Sequence, residues 1–266
     1  VSGTIIELDS DTTDSSGWAS INRQIYLKPG SYDLIINCSD YGYYSGSMKK
    51  IRLIVNKETT IIKFLQGVFE VQYTDSIAIS CRLLTDDSEE VGGEVIKFYY
   101  VSPSDRVFIG DNITDANGFV SIIIDATMPV GEYVVVANFT GSELYRPCKN
   151  EQSLVVEEEG IVLISLVFSK EKIYAGDSVR IELIVGEDDE VVRFIKDASV
   201  KFYANGKMFA EGKTDESGKF ECTWSPGSPG DYNITLIVEK EGFMRLSYSI
   251  NKKVLSELSY VPILLM

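Results

Sequence analysis

One stretch of this chain occurs three times at an almost constant spacing, and this repeat limits the possible folds more than any other feature. Each copy contains a Thr-Asp-x-x-Gly turn, an apolar run, a short loop and a Gly-x-Tyr motif. The turn glycines, spaced 101 and 100 residues apart, are Gly17, Gly118 and Gly218. The motif tyrosines, spaced 101 and 99 apart, are Tyr32, Tyr133 and Tyr232. A period near 100 residues is too long for a solenoid repeat and matches a small β-sandwich domain.

The segments between the turns have the period-two alternation that is typical of strands with one buried face. Ile77, Ile79, Cys81 and Leu83 share one face of a predicted strand in the second copy, and the third copy repeats this pattern. No segment has a sustained helical period. We therefore predict an all-β fold. The predicted strands include Ile5–Leu8, Ile25–Leu27, Thr60–Phe69 and Ile161–Phe168.

The repeat also predicts the domain organisation: tandem Ig-like β-sandwiches arranged as a rod, with an incomplete first domain. We expect later strands only in residues 1–57, complete domains in 58–158 and 159–256, and an apolar C-terminal strand or tail in 257–266. The linkers Asn56–Glu58 and Glu157–Gly160 are too short and too charged to act as flexible tethers. The chain opens without a signal-peptide pattern, so we expect its N-terminus to result from processing or truncation.

Composition excludes several classes of function. The net charge of −15 over 266 residues disfavours nucleic acid and anionic lipid as partners. The chain has no histidine, which removes the commonest general base and the commonest zinc ligand. It has no GxSxG, HExxH, P-loop or GxGxxG motif, and no apolar run long enough to insert in a membrane. We predict a protein that is not an enzyme.

The repeat resembles the Ig-like repeats of bacterial and archaeal surface proteins, the invasin-like and macroglobulin-like sandwiches. The residues that carry this resemblance are VKFYANGK from Val200, KTDESGKF from Lys213 and PGDYNITLIV from Pro229, together with their counterparts in the other copies. The resemblance implies an extracellular location and a role in a stalk, adhesin, surface layer or enzyme appendage. It also implies that each motif tyrosine is a tyrosine corner, whose hydroxyl bonds to upstream backbone.

Four N-x-S/T sequons are candidate N-glycosylation sites: Asn37, Asn112, Asn138 and Asn233. Strand parity counted from the motif tyrosines places Asn37, Asn138 and Asn233 on the solvent face. That placement fits glycan acceptors of an exported protein, and it fits equally any polar residue that faces water.

The four cysteines are too few and too scattered for a disulfide scaffold or a zinc site. Cys38, Cys81 and Cys222 have inward parity, where a free cysteine packs as a small apolar residue. Cys81 and Cys148 belong to strand ends at the same end of the second sandwich. A disulfide between these two is therefore one alternative, and free thiols are the other.

Acidic loops fall where consecutive domains should meet. In sandwiches linked end to end, the loop after the second strand faces the preceding domain, and oxygen-rich clusters at such joints are able to hold Ca²⁺. A solvated acidic loop is the alternative interpretation. The candidate Ca²⁺ ligands at the joint of the second and third domains are Glu157, Glu158, Glu159, Asp188, Asp189 and Asp215.

The two ends of the chain suggest self-assembly. The first domain lacks its first strands, whereas LSYVPILLM at the C-terminus falls where the first strand of a further domain is expected. Either the chain is part of a longer array, or this segment completes the first domain of the next subunit by β-augmentation, which propagates head to tail. The donor residues would be Leu258, Tyr260, Val261, Ile263, Leu264 and Leu265.

The function we expect is that of a non-catalytic structural protein of a prokaryotic cell surface: a surface-layer stalk, an adhesin shaft or a filament subunit. Its partners are then other copies of itself or other surface proteins. A second interpretation is a ligand- or carbohydrate-binding adhesin module that uses the aromatic loop of Tyr41, Tyr43 and Tyr44. A third is an accessory region of a larger secreted enzyme.

Overall fold

The computed structural model describes residues 5–189 and 191–256, in which strands are the regular secondary structure and no helix occurs. The chain is therefore all-β, as predicted. The strands are β1 (Gly30–Cys38), β2 (Ser47–Val55), β3 (Thr60–Phe64), β4 (Val68–Gln72), β5 (Ser76–Thr85), β6 (Val95–Val101), β7 (Arg106–Ile113), β8 (Phe119–Asp125), β9 (Gly131–Phe139), β10 (Cys148–Glu157), β11 (Ile161–Phe168), β12 (Ile173–Tyr174), β13 (Val179–Glu187), β14 (Ser199–Ala204), β15 (Lys207–Lys213), β16 (Lys219–Trp224), β17 (Gly230–Glu239) and β18 (Leu246–Leu255).

The second repeat is a two-sheet sandwich. Five strands pair in the order β4-β10-β9-β6-β7, and three pair in the order β3-β5-β8. All of these pairs are antiparallel except the parallel pair of β4 and β10. The inward residues of both sheets form one core, because alternate side chains of each strand point to the same face. The largest fully buried members of this core are Phe69, Ile79, Leu83, Ile96, Phe98, Phe139 and Leu154.

The third repeat has the same architecture. Its five-stranded sheet has the order β12-β18-β17-β14-β15, and its three-stranded sheet has the order β11-β13-β16. Trp224 packs edge to face against the motif tyrosine Tyr232, with ring centroids 5.2 Å apart. The equivalent arrangement of strands in two consecutive repeats shows tandem Ig-like sandwiches.

The first repeat contributes a single hairpin, β1 and β2, in register from Gly30 opposite Val55 to Cys38 opposite Ser47. Its face that corresponds to the core faces of the other repeats is largely uncovered, with Ile36 53% and Ile51 45% exposed. The described residues of the first repeat therefore form a hairpin and not a two-sheet sandwich.

Two strands predicted in the first repeat do not form. Ile5–Leu8 and Ile25–Leu27 lie in residues 5–29, which contain no strand. Ile5–Leu8 corresponds to β7, which pairs with β6 in the second repeat. The described part of the first repeat has no counterpart of β6, so an apolar alternating segment there has no neighbour to pair with.

The predicted strand Thr60–Phe69 is two strands in different sheets. β3 ends at Phe64 and pairs with β5, whereas β4 begins at Val68 and pairs with β10. The chain crosses from one sheet to the other around Gly67. The inward-facing residues are even-numbered in β3 (Ile62) and odd-numbered in β4 (Phe69 and Val71), so the phase of the alternation changes at the crossing. Apolar residues stand close on both sides of Gln66 and Gly67, which made one long strand the simpler interpretation.

The three turns and the three tyrosines have the same local structure in each copy. The Asp115 carboxylate accepts hydrogen bonds from the backbone N–H of Asn117 (2.8 Å) and Phe119 (2.9 Å), and Asp14 and Asp215 make the corresponding bonds. Each motif tyrosine donates its hydroxyl hydrogen bond to the carbonyl four residues upstream, at 2.7, 2.6 and 3.1 Å. The predicted tyrosine corners are therefore confirmed.

Candidate functional site

The second joint, between the second and third sandwiches, is tied by backbone hydrogen bonds at the linker residue Glu159. Its N–H donates to the carbonyl of Gly242 (3.0 Å), and its carbonyl accepts from the N–H of Met244 (2.8 Å). The residue is 1% exposed, and its carboxylate accepts a hydrogen bond from the N–H of Gly160 (2.8 Å). The linker is therefore part of the fold of the third repeat rather than a tether.

An aromatic contact connects the two cores at this joint. The Tyr73 ring, in the turn after β4, packs edge to face on Phe243 with centroids 5.7 Å apart. Tyr73 borders the core clusters of both repeats. Gly242 has a φ of +83°, and a Cβ atom there would lie 2.5 Å from the Tyr73 ring. Close approach of the two repeats therefore depends on the absence of a side chain at Gly242.

One arginine lies among carboxylates from both repeats. Arg193, in the loop after β13, places Nη2 2.7 Å from the Asp75 carboxylate of the preceding repeat. Within its own loop, Nε lies 2.5 Å from Glu187 and Nη2 lies 3.0 Å from Asp189. Nη1 also donates a hydrogen bond to the carbonyl of Thr74 (3.3 Å). The guanidinium thus joins the turn of one repeat to the loop of the next.

Burial and charge affect the carboxylates at this joint. Burial raises the pKa of Glu187, and the adjacent Arg193 guanidinium and the Thr74 hydroxyl offset part of that rise. Burial also raises the pKa of Glu159, with further contributions from the charges of Asp75, Glu187 and Asp189. The site therefore concentrates negative charge in a partly dry environment around the Arg193 guanidinium.

The first joint, between the hairpin and the second sandwich, repeats the backbone connection at Glu58. The N–H of Glu58 donates to the carbonyl of Leu144 (2.9 Å), and its carbonyl accepts from the N–H of Arg146 (2.8 Å).

The carboxylate oxygens of Glu58, Asp86 and Asp87 lie within 4.8 Å of one another, and all three residues are exposed. A hydrogen bond with Asp86 raises the pKa of Glu58, and desolvation and the negative charges of both aspartates add to the rise. Hard cations such as Ca²⁺ prefer oxygen ligands, so these three carboxylates are a suitable set of ligands for one.

Sequence reasoning named acidic residues of the second joint and missed Glu58. The signal was present, because Glu58 precedes Glu159 by 101 residues, which is the period of the repeat. Among the described residues, the first-joint trio is the group of carboxylates whose ligand atoms come close enough together for one ion.

The six predicted Ca²⁺ ligands have different surroundings. Glu157 and Glu158 are exposed, whereas Glu159 is buried and Asp189 is paired with Arg193. A Cβ atom at Gly160 would lie 2.7 Å from the Cβ of Asp188, so Asp188 packs against the linker backbone. Asp215 accepts hydrogen bonds from Ser217 and Lys219 of its own turn. Of the six, Asp189 is therefore the one that pairs with the arginine, and Asp215 stabilises its own turn.

The sequon asparagines lie on strands at the surface. Asn37, Asn112 and Asn233 are exposed and Asn138 is half-buried. The hydroxyl of Thr235, the third residue of its sequon, donates to Asn233 Oδ1 (2.9 Å). The amide of Asn112 donates to the carbonyl of Ser121 (2.9 Å), so this side chain already has a partner.

Cys81 and Cys148 are free thiols in the core region of the second repeat. Cys81 is fully buried, and burial, with a smaller contribution from Cys148, raises its pKa to about 12. The Thr60 hydroxyl donates to Cys148 Sγ (3.2 Å). Cys222 is half-buried, and Cys38 is exposed because the hairpin face that carries it is uncovered.

The aromatic loop of Tyr41, Tyr43 and Tyr44 protrudes into solvent, with each ring at least 81% exposed. Tyr41 and Tyr44 exchange two backbone hydrogen bonds (3.1 and 3.0 Å), which close the loop as a tight turn. The donor residues Leu258, Tyr260, Val261, Ile263, Leu264 and Leu265 lie outside the described residues.

In the described ranges, no helical segment has the length and hydropathy needed to span a bilayer.

Comparisons with known proteins find resemblance in structure but not in sequence. No family model and no curated protein sequence matches this chain. The Yersinia pseudotuberculosis adhesin InvE is similar over 72% of this chain and 58% of its own, at 13% identity and a TM-score of 0.35. A tetra-tandem repeat from the extending region of a large adhesion protein is similar over 86% and 57%, at 12% identity and 0.41. Invasin, a bacterial integrin-binding protein, is similar over 72% and 38%, at 15% identity and 0.42. These neighbours are bacterial Ig-like adhesins, in agreement with the resemblance stated from the sequence.

Proposed function

We propose that this chain is a non-catalytic structural segment of a prokaryotic cell-surface protein, a shaft that holds other parts of the protein away from the cell. The observation that carries the proposal is the second joint. There Tyr73 borders both cores and Glu159 is bonded into the third repeat on both sides. A shaft needs joints that resist bending, and an interface with buried aromatic contacts restricts domain motion more than an exposed linker does.

Small-angle X-ray scattering of the full chain tests the shape. A compact chain of 266 residues has a radius of gyration of about 18 Å. We expect a value well above that, with a scattering curve typical of an elongated particle. A radius close to the compact value would contradict a shaft.

Location is tested on intact cells of the source organism. Protease treatment of the cells should release peptides of this chain, and a protein that stays protected until lysis would contradict surface exposure.

Mass spectrometry of the native protein tests the glycans at Asn37, Asn112, Asn138 and Asn233. The absence of glycan at all four sequons would remove the glycosylation part of the proposal.

Head-to-tail assembly is the finer form of the proposal. The uncovered apolar face of the β1–β2 hairpin is the acceptor, and the apolar segment Leu258–Met266 of another copy is the donor. Deletion of Leu258–Met266 should abolish assembly and lower the thermal stability of the first domain. Unchanged assembly and stability after the deletion would rule out strand donation.

The exposed aromatic loop favours a second candidate function, carbohydrate binding by an adhesin. Exposed tyrosine rings stack on sugar faces, and three such rings project from one short loop here. A glycan array with the native chain and the Tyr43→Ala and Tyr44→Ala variants tests this function. Binding that both substitutions abolish would support it, whereas no binding, or binding that both variants retain, would leave the shaft role alone.

A further inference from the structure

The second joint contains a cation that the chain itself provides. We propose that Arg193 is the built-in counter-ion that locks the second and third repeats together, so that this joint keeps its geometry without a bound metal ion. The lock is a property of the joint and does not depend on the proposed surface role.

The contacts of Arg193 cross the joint. Nη2 pairs with Asp75 (2.7 Å) and Nη1 donates to the carbonyl of Thr74 (3.3 Å), both in the turn of the second repeat. Nε faces Glu187 (2.5 Å) in the third repeat, and the Thr74 hydroxyl donates to the other oxygen of Glu187 (3.4 Å). A planar guanidinium presents donors along two edges at fixed angles, which a lysine ammonium on a flexible stem does not reproduce.

The charges around Arg193 explain why a cation is required. Asp75, Glu159, Glu187 and Asp189 bring four carboxylates to the joint, and Glu159 and Glu187 are buried. A buried carboxylate that loses its partner is strongly destabilising. Among the described residues, these four carboxylates do not include three whose oxygens lie within 4.8 Å of one another, unlike the trio at the first joint. The carboxylates Asp75, Glu187 and Asp189 surround the Arg193 guanidinium and are not arranged as ligands of one metal ion.

The corresponding loop of the second repeat lacks this lock. There the N–H of Thr85 donates to the carbonyl of Glu89, as the N–H of Glu187 donates to the carbonyl of Arg193. Glu89 thus occupies the backbone position of Arg193, and Thr85 that of Glu187. The third-repeat loop is two residues longer, and it carries the arginine that contacts the preceding turn.

Hydrogen-exchange mass spectrometry of the full chain tests the lock. The amides of Glu159 and Met244 report on the joint because their hydrogen bonds connect the linker to the third repeat. Amides of β9 in the second sandwich serve as an internal reference for folding. We would compare the native chain with Arg193→Ala, Arg193→Lys, Glu187→Gln and the double variant Arg193→Ala/Glu187→Gln, each in EDTA and in CaCl₂. Arg180→Ala is the matched control, because its ion pairs lie within the third repeat.

We expect Arg193→Ala to speed exchange at the joint on the order of tenfold while β9 exchange stays unchanged. Arg193→Lys should fall between this variant and the native chain. The double variant should recover part of the protection, since glutamine removes the unpaired buried charge of Glu187 but does not replace the contacts with Asp75 and Thr74. Arg180→Ala should leave the joint unaffected.

Three results would overturn the proposal. The first is native protection in Arg193→Ala, which would show that the guanidinium does not hold the joint. The second is a double variant no better than Arg193→Ala, which would show that charge compensation is not its role. The third is loss of protection of the native chain in EDTA, which would show that a metal ion holds the joint.

Discussion

The two joints of this molecule share one backbone connection and differ in their side chains. Glu58 and Glu159 each form a parallel bridge to an aromatic residue of the next repeat, Tyr145 and Phe243. At the second joint a tyrosine and an arginine add contacts that cross between the repeats. At the first joint three exposed carboxylates lie together, and an exposed ion pair, Glu143 with Lys28 (3.1 Å), reaches the segment just before β1.

Because the backbone connection is the same at both joints, the linker alone does not account for the contacts that cross the second one. Tyr73, Thr74 and Asp75 belong to the turn between β4 and β5, and this turn supplies the crossing contacts of the second joint. The described part of the first repeat has no counterpart of those strands. The contacts that cross a joint therefore depend on which strands and turns the preceding domain places there.

The largest loss of stability should come from adding a side chain at Gly242, where the second and third repeats approach most closely in the contact with Tyr73. Gly242→Ala combines a left-handed backbone with a Cβ atom 2.5 Å from the Tyr73 ring, which must move out of the interface. We expect a loss of about 3 kcal/mol in the free energy of unfolding, measured by denaturant titration. Gly206→Ala is the matched control, because its φ of +80° is similar but a Cβ atom there meets open space. Equal losses in both variants would mean that the joint tolerates the added side chain.

A smaller change, this time an increase in stability, should come from a substitution at the first joint. Asp86→Asn removes a neighbour that raises the pKa of Glu58, so the melting temperature at pH 7 should rise by about 2 °C. Repulsion requires both carboxylates to be ionised. The folded-state pKa of Glu58 is raised, so the advantage of the variant should be largest at neutral pH. It should disappear as the pH falls through that pKa.

Asp231→Asn, an exposed aspartate of the third repeat, is the control for the loss of one charge. A lower melting temperature for Asp86→Asn at pH 7 would contradict repulsion at the first joint. If CaCl₂ stabilises the native chain and not the Asp86→Asn variant, the trio binds calcium.

The smallest effect should come from the ion pair that crosses the first joint. The side chains of Lys28 and Glu143 are 68% and 69% exposed, so water screens their attraction. Lys28→Ala should change the melting temperature by less than about 1 °C, as should Lys149→Ala, which breaks a similarly exposed pair within the second repeat. A much larger drop for Lys28→Ala alone would mean that the first joint is more strongly coupled than its contacts indicate.

Much of the fold follows from local patterns in the sequence. Period-two alternation predicted β5 and β13, and the bounds of β11 agree with the predicted strand Ile161–Phe168. The tyrosine corners followed from one motif at constant spacing. The candidate site was predictable only in part, because Glu159 and Asp189 were named from their position at a joint. Arg193 was not named, since a lone arginine in an acidic loop has no signal that identifies its partners.

Short-range structures follow from the local sequence, whereas their packing does not, and the turn glycines illustrate both. Asp14 and Asp115 make the same pair of hydrogen bonds, and Gly17 and Gly118 have similar positive φ values of +81° and +69°. A Cβ atom at Gly118 would lie 2.4 Å from the carbonyl oxygen of Leu83, whereas one at Gly17 would meet nothing within 4 Å. The turn forms from bonds among neighbouring residues, so it appears in every copy. Packing against it needs a strand from elsewhere in the chain, so only the tertiary structure decides whether the same turn is buried or bare.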